Sequence, residues 1–154
     1  MSRRRRIQAL TYVRRKDTLY LVETNKKIAI ITDGAAPTQK TAENIAAVIG
    51  AYSGYSAAII QAESFSGTDL QSAYAVFLGC EEPQPSSFAS IETLLKHINL
   101  AGRSCGIFSS GAKTLKYLSA LLRDSEIAAK PFEVKNNAID PDKLKKWVQD
   151  VLQK

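Results

Sequence analysis

Histidine occurs once in the 154 residues, at His97, and cysteine twice, at Cys80 and Cys105. One histidine excludes a multi-histidine metal site and argues against a Ser-His-Asp triad. Two cysteines cannot build a disulfide framework, and their spacing matches no zinc motif. No uninterrupted apolar run reaches the ~18 residues that a membrane span requires. The only low-complexity stretch is Arg3-Arg4-Arg5-Arg6, and no internal repeat is present. These absences disfavour hydrolase and metalloenzyme readings, and no metal site is expected. What remains is 45% hydrophobic and 23% charged, the balance of a globular chain with one core.

The net charge of +6 is lopsided. Residues 1–27 carry nine basic and two acidic residues, a balance of +7, and the remainder is close to neutral at −1. Any nucleic-acid or anionic-surface contact therefore belongs to the first segment, through Arg3–Arg6 above all. Without interleaved aromatics or a nucleic-acid motif, a solvated basic extension is the simpler reading of those arginines. Ile7–Val13 and Thr18–Glu23 are rich in β-formers and flank Arg14-Arg15-Lys16-Asp17, a candidate β-hairpin for the edge of a sheet. Ile7–Val13 is interrupted by Gln8, Thr11 and Tyr12 and meets no small-residue cleavage site, so it does not read as a secretory signal. A cytoplasmic location is the expectation. The organisation predicted is a basic extension over 1–26 and one domain over 27–154.

From Lys27 onward, short apolar runs alternate with helical patterns. Ile28–Thr32, Ala57–Ile60, Ala73–Leu78 and Ser104–Phe108 read as strands buried on both faces, and Phe132–Val134 as a short fifth. Thr38 is the expected N-cap of a helix carrying Ala42, Ile45, Ala46 and Ile49. Ser86 or Ser87 is expected to cap a helix with Phe88, Ile91, Leu94, Leu95 and Ile98 on one face. A further helix carries Leu115, Leu118, Leu121 and Leu122. Asp140 caps the last, which Pro141 opens and which buries Leu144, Trp147, Val148 and Val151. Glu63–Ser72 reads as a polar loop anchored by Leu70. Five strands alternating with helices define an α/β doubly wound three-layer sandwich, with a parallel sheet of order 2-1-3-4-5. A ligand of such a fold sits outside the carboxyl ends of the strands. That rim gathers the loops Asp33–Thr38, Gly79–Ser87 and Ser109–Lys113.

Over residues 27–154 the chain resembles the flavodoxin family. Ile28–Thr32 followed by Thr38-Gln39-Lys40-Thr41-Ala42-Glu43-Asn44-Ile45-Ala46 is similar to the family's first strand and its T-x-x-x-A-x-x-I-A helix. Leu70 with Ala73–Cys80 resembles the third strand, and Phe108-Ser109-Ser110-Gly111 the F-G-S-x-G turn. The resemblance implies an FMN-binding electron carrier working with a redox protein partner. It places the phosphate at Gly34, Thr38 and Gln39, and the ring against Gly79, Cys80, Ser109, Ser110 and Gly111. The family's phosphate loop reads roughly S-x-T-G-x-T, and the aligned stretch here is Asp33-Gly34-Ala35-Ala36-Pro37-Thr38. A carboxylate replaces the first hydroxyl, Ala35 the second, and Pro37 removes an amide donor. The loops 79–87 and 109–113, which stack the flavin in the family, contain no aromatic residue.

Two functions follow. The first is an FMN-binding electron-transfer module, with no catalytic residues of its own. The second is a cofactor-free flavodoxin-like interaction module. Among the remaining candidates, Cys80 has no Lys, Arg or His in its loop to activate it and reads as a small buried hydrophobe. His97 lies off the apolar stripe of its helix, and Glu81-Glu82 reads as a solvated acidic pair.

Overall fold

The structure is a computed structural model that describes residues 10–15, 18–23, 25–97, 102–122, 126–127, 129–136 and 138–153. Arg3–Arg6 and the basic tail before Leu10 lie outside the described residues. The elements run in the order β1 (Leu10–Arg15), β2 (Thr18–Glu23), β3 (Lys26–Thr32), α1 (Ala36–Gly50), β4 (Tyr55–Gln61), α2 (Gly67–Ser72), β5 (Ala75–Gly79), α3 (Ala89–His97), β6 (Ser104–Ser109), α4 (Ala112–Leu121), β7 (Glu126–Ile127), β8 (Phe132–Glu133) and α5 (Pro141–Leu152). Single 3₁₀ turns at Ala62–Ser64 and Ser86–Phe88 precede α2 and α3.

β3 lies between β4 and β5, β5 pairs with β6, and every pairing in the main sheet is parallel. Counting from β3, the order is 2-1-3-4-5, as the alternation of runs predicts. The fifth position is shared, because β7 pairs with the start of β6 and β8 with its end. Proline cannot donate to a ladder, and Pro131 stands between the two pieces. β1 and β2 form the expected hairpin, with Arg15 opposite Thr18. It is a two-stranded sheet of its own, not an addition to the edge of the main one.

The central strands β3, β5 and β6 are buried on both faces, so their successive side chains feed two separate cores, while β4 at the edge, expected to be buried on both faces, is only half-buried. Ala29, Ile31, Val76, Leu78, Cys105 and Ile107 meet Leu70 of α2, Ile91 of α3 and Leu115 and Leu118 of α4. Ile28, Ile30, Ala75, Phe77 and Phe108 meet Ile45 and Ile49 of α1 and Leu144, Trp147, Val148 and Val151 of α5. Trp147 sits edge-on to Phe77 at 5.2 Å and Phe108 at 6.3 Å, and donates its indole N–H to the Lys130 carbonyl at 2.8 Å. A buried tryptophan needs such a partner, which fixes its orientation in the core.

Several sequence expectations shift. Thr38 does not cap α1: the helix starts at Ala36, with Ala35 at the cap and Pro37 inside the first turn. Proline's fixed φ suits that turn, and its missing N–H would have no intrahelical partner there. Neither Ser86 nor Ser87 caps α3; they form the 3₁₀ turn before it, with Pro85 in the capping position and no side-chain bond. The polar stretch before β5 is not all loop. Ser66 and Asp69 make a reciprocal capping box for α2, and Leu70 is buried at its centre. That helix ends at Ser72, with Ala73 as its C-cap, which delays β5 to Ala75. Ile98 lies outside the described residues.

Candidate functional site

The three loops predicted to share one rim do so, but they are closed onto one another. Asp33 is the hub. Its Oδ1 accepts the amide of Ala35 at 3.1 Å, the usual turn made by an aspartate two residues ahead. Its Oδ2 accepts the amide of Glu81 at 2.9 Å, across 48 residues of sequence. Gly34 makes this turn at φ +81°, a backbone that favours glycine, and its amide reaches Thr32 Oγ1 at 3.3 Å. One carboxylate thus ties the loop after β3 to the loop after β5.

The third loop is tied in from the other side. Ser110 Oγ donates to the Glu81 carboxylate at 3.0 Å, and Thr114 Oγ1 to the Glu81 carbonyl at 3.2 Å. Ser109 is buried and donates to the Cys80 carbonyl at 2.9 Å, while its own hydroxyl oxygen receives the Gly111 amide at 3.4 Å. The Val134 amide donates to the Ser109 carbonyl at 2.9 Å and brings the segment after β8 against the same loop. Charge-assisted bonds of the Asp33 and Glu81 kind are the stronger ones in such a set.

Each residue assigned to a cofactor by the family resemblance has a defined place here. Gly34 is exposed at the tip of the turn. Thr38 is buried in the first turn of α1. The Gln39 amide donates to the Ala35 carbonyl at 2.8 Å, inside the helix, and its side-chain oxygen accepts Gln61 Nε2 at 3.1 Å. Gly79 is covered by the Phe108 ring, and a Cβ added there would lie 2.3 Å from it. Cys80 is fully buried, its Sγ 3.3 Å from the Glu82 carbonyl. Burial first, then the Asp33 and Glu81 charges, push its thiol up to about 12. Such a cysteine is neither a nucleophile nor a metal ligand at neutral pH. Ser109 and Ser110 spend their hydroxyls on the loop after β5, and the Gly111 amide is spent on Ser109 within its own loop.

The space these residues enclose is correspondingly small. Between Pro37, Thr38, Thr41, Glu81, Phe108, Ser109, Ser110 and Val134 lies a cavity of about 10 Å³, roughly what one water needs. No aromatic residue stands in either of the loops expected to hold a flavin ring. Phe88, the first aromatic beyond them, is completely buried in the core. A phosphate at this loop would meet Asp33 instead of a hydroxyl. A like charge ~4 Å away costs about 4 kcal/mol at an effective dielectric near 20, more than one helix N-terminus recovers. The residues present do not fit FMN.

Sequence reasoning placed the loops correctly and missed their cross-links. Asp before Gly signals a turn, but nothing local signals a bond to an amide 48 residues away. Among the described residues no group of three or more His, Cys, Asp or Glu side chains is arranged to hold a metal ion.

A parallel sheet of order 2-1-3-4-5, with helices on both faces and its loops gathered at the carboxyl ends of the strands, is the flavodoxin-like fold. No family model matches the sequence, and no curated protein matches it. Solved structures do. The flavodoxin of Streptococcus pneumoniae TIGR4 superposes with a TM-score of 0.70 at 13% identity, covering 82% of this chain and 97% of that one. Flavodoxin 2 of Bacillus cereus gives 0.70 at 16% identity, over 82% and 98%. A short-chain flavodoxin associated with a bacterial microcompartment gives 0.71 at 10% identity, over 84% and 97%. Likeness at these identities establishes the fold. No described helix is long and apolar enough to cross a membrane.

Proposed function

We propose that this chain is a flavodoxin-like domain that works without FMN, as an interaction module whose rim loops form a closed, preorganised surface. The observation that carries this reading is the Asp33 carboxylate. It already holds the Ala35 and Glu81 amides, and it places a negative charge where a phosphate would have to sit. The surface built around it is polar: Asp33, Glu81 and Ser110 are half-buried, and Glu82 stands exposed at its edge. Rigid loops on a packed sheet lose little entropy on binding, which is what a recognition surface needs.

The test is titration of FMN into the purified protein, followed by quenching of flavin fluorescence. Free flavin fluorescence should persist throughout, and the protein should purify colourless. Stoichiometric flavin retained through purification would overturn the reading. It would favour the electron-carrier function, which the fold shared with flavodoxins supports. That second function requires Asp33 to release Glu81 and the loops after β5 and β6 to part.

A further inference from the structure

The two edges of the main sheet are built differently. One edge is divided between β7 and β8, two residues each, a length too short to template pairing. The other edge is β4, seven residues long, Tyr55-Ser56-Ala57-Ala58-Ile59-Ile60-Gln61. It carries no charge and no proline, and it pairs with β3 in an unbroken register. Charge and proline, two of the features that normally blunt an edge, are therefore missing from the strand itself. The β1–β2 ladder does not pair with it. The short α2 leaves a hollow of about 250 Å³ beside the strand, lined by Ser56, Ala58 and Ile60 together with Lys27, Asp69 and Ser72. Ile59 and Ile60 stay only half-buried.

We propose that β4 is a self-association edge, at which two copies of the chain pair their β4 strands antiparallel about a two-fold axis through Ala58. A second copy is the occupant the strand itself describes. In that register Ala58 faces its own mate, Ile59 faces Ala57, Ile60 faces Ser56 and Tyr55 faces Gln61. Both isoleucines meet a small side chain on the same face, and no like charges oppose. The ends complement each other as well. Lys26 and Lys27 are exposed at the Tyr55 end, and Glu63 is exposed just beyond Gln61. Antiparallel pairing brings the basic end of one copy to the acidic end of the other. The contact is isologous and closes at two copies. It touches the rim only at Gln61, which bonds to Gln39, and it does not depend on whether the rim takes FMN.

The experiment is sedimentation velocity of the full chain over a concentration series to about 100 μM, a range that reveals even a weak dimer. The wild type should reach twice its 16.9 kDa mass. Ala58→Lys sets two lysines face to face at the axis, and Ser56→Lys sets one against Ile60. Each should weaken the dimer at least roughly 100-fold, while circular dichroism and melting report an intact fold. Ala58→Cys supplies a second readout that needs no loss of stability. Facing Cα atoms ~5 Å apart are within disulfide reach, and both native cysteines are buried. Mild oxidation should give a reducible covalent dimer of Ala58→Cys and none of Lys145→Cys, an exposed position on α5. A monomeric wild type would overturn the proposal. So would a dimer indifferent to both lysine variants, or cross-linking at position 58 no faster than at position 145.

Discussion

Two aspartates stand ahead of two helices, and their carboxylates do different work. Asp140 caps α5 in the ordinary way, accepting the amides of Asp142 at 3.0 Å and Lys143 at 3.3 Å. Both amides its carboxylate holds lie within three residues, and Pro141 announces the helix it starts. Asp33 precedes α1 by three residues and leaves that helix without a side-chain cap bond. It holds one local amide and one distant amide, at Ala35 and Glu81. The first aspartate begins an element, and the second fastens two loops. At the carboxyl ends of the strands, one carboxylate holds two loops together by itself.

The comparison can be broken most severely at the rim itself. Gly79→Ala drives a Cβ into the Phe108 ring beneath the loops, and overpacking of this kind should cost about 3 kcal/mol in urea denaturation. A cost below 1 kcal/mol would mean that Phe108 moves aside freely and the loops are not clamped. Next comes Asp33→Ala, which strips two charge-assisted bonds from a half-buried site and orphans the Glu81 amide. The expected loss is about 2 kcal/mol, and a chevron or equilibrium melt measures it directly. Asp140→Ala removes an exposed cap and should cost about 1 kcal/mol. Equal costs for the two aspartates would erase the distinction drawn between them.

A smaller effect concerns pH. Burial raises the Cys80 thiol from its ordinary value of 9.0 to about 12, so the folded protein holds a proton that the unfolded chain releases. Stability from this group is complete below pH 9 and falls as the pH climbs from there towards 12. Cys80→Ser should flatten the alkaline limb of a stability profile. An unchanged slope would assign that limb to other groups. Thiol reagents at neutral pH should likewise label Cys80 and Cys105 only after unfolding, since both are buried.

Most of the architecture was legible because its signals are local or periodic. Ile28–Thr32 is apolar without interruption because both faces of β3 are covered, and the stripe of α5 names its own buried residues. α2 was not legible: Ser66 and Asp69 cap only six residues, too few for a helical period to emerge. The division of the fifth strand escaped for the same reason, with two residues in each piece. At the rim, the replacement of a hydroxyl by Asp33 and the loss of an amide at Pro37 were visible as departures from the flavodoxin pattern. Their consequence was not, because it depends on where Glu81 comes to rest. Thr38 looked like a cap because threonine before an apolar stripe usually is one. Pro37 and the Asp33 turn instead moved the start of α1 back to Ala36.

The account turns on whether Asp33 holds the Glu81 amide, and amide hydrogen exchange reads that bond residue by residue. In the wild type, Ala35 and Glu81 should both be protected although they lie in loops, alongside Gln39 in the helix. In Asp33→Ala, Glu81 should exchange fast, 48 residues from the substitution, while Gln39 stays slow. Rapid exchange at Glu81 in the wild type would contradict the account, because the rim loops would then be open to a ligand.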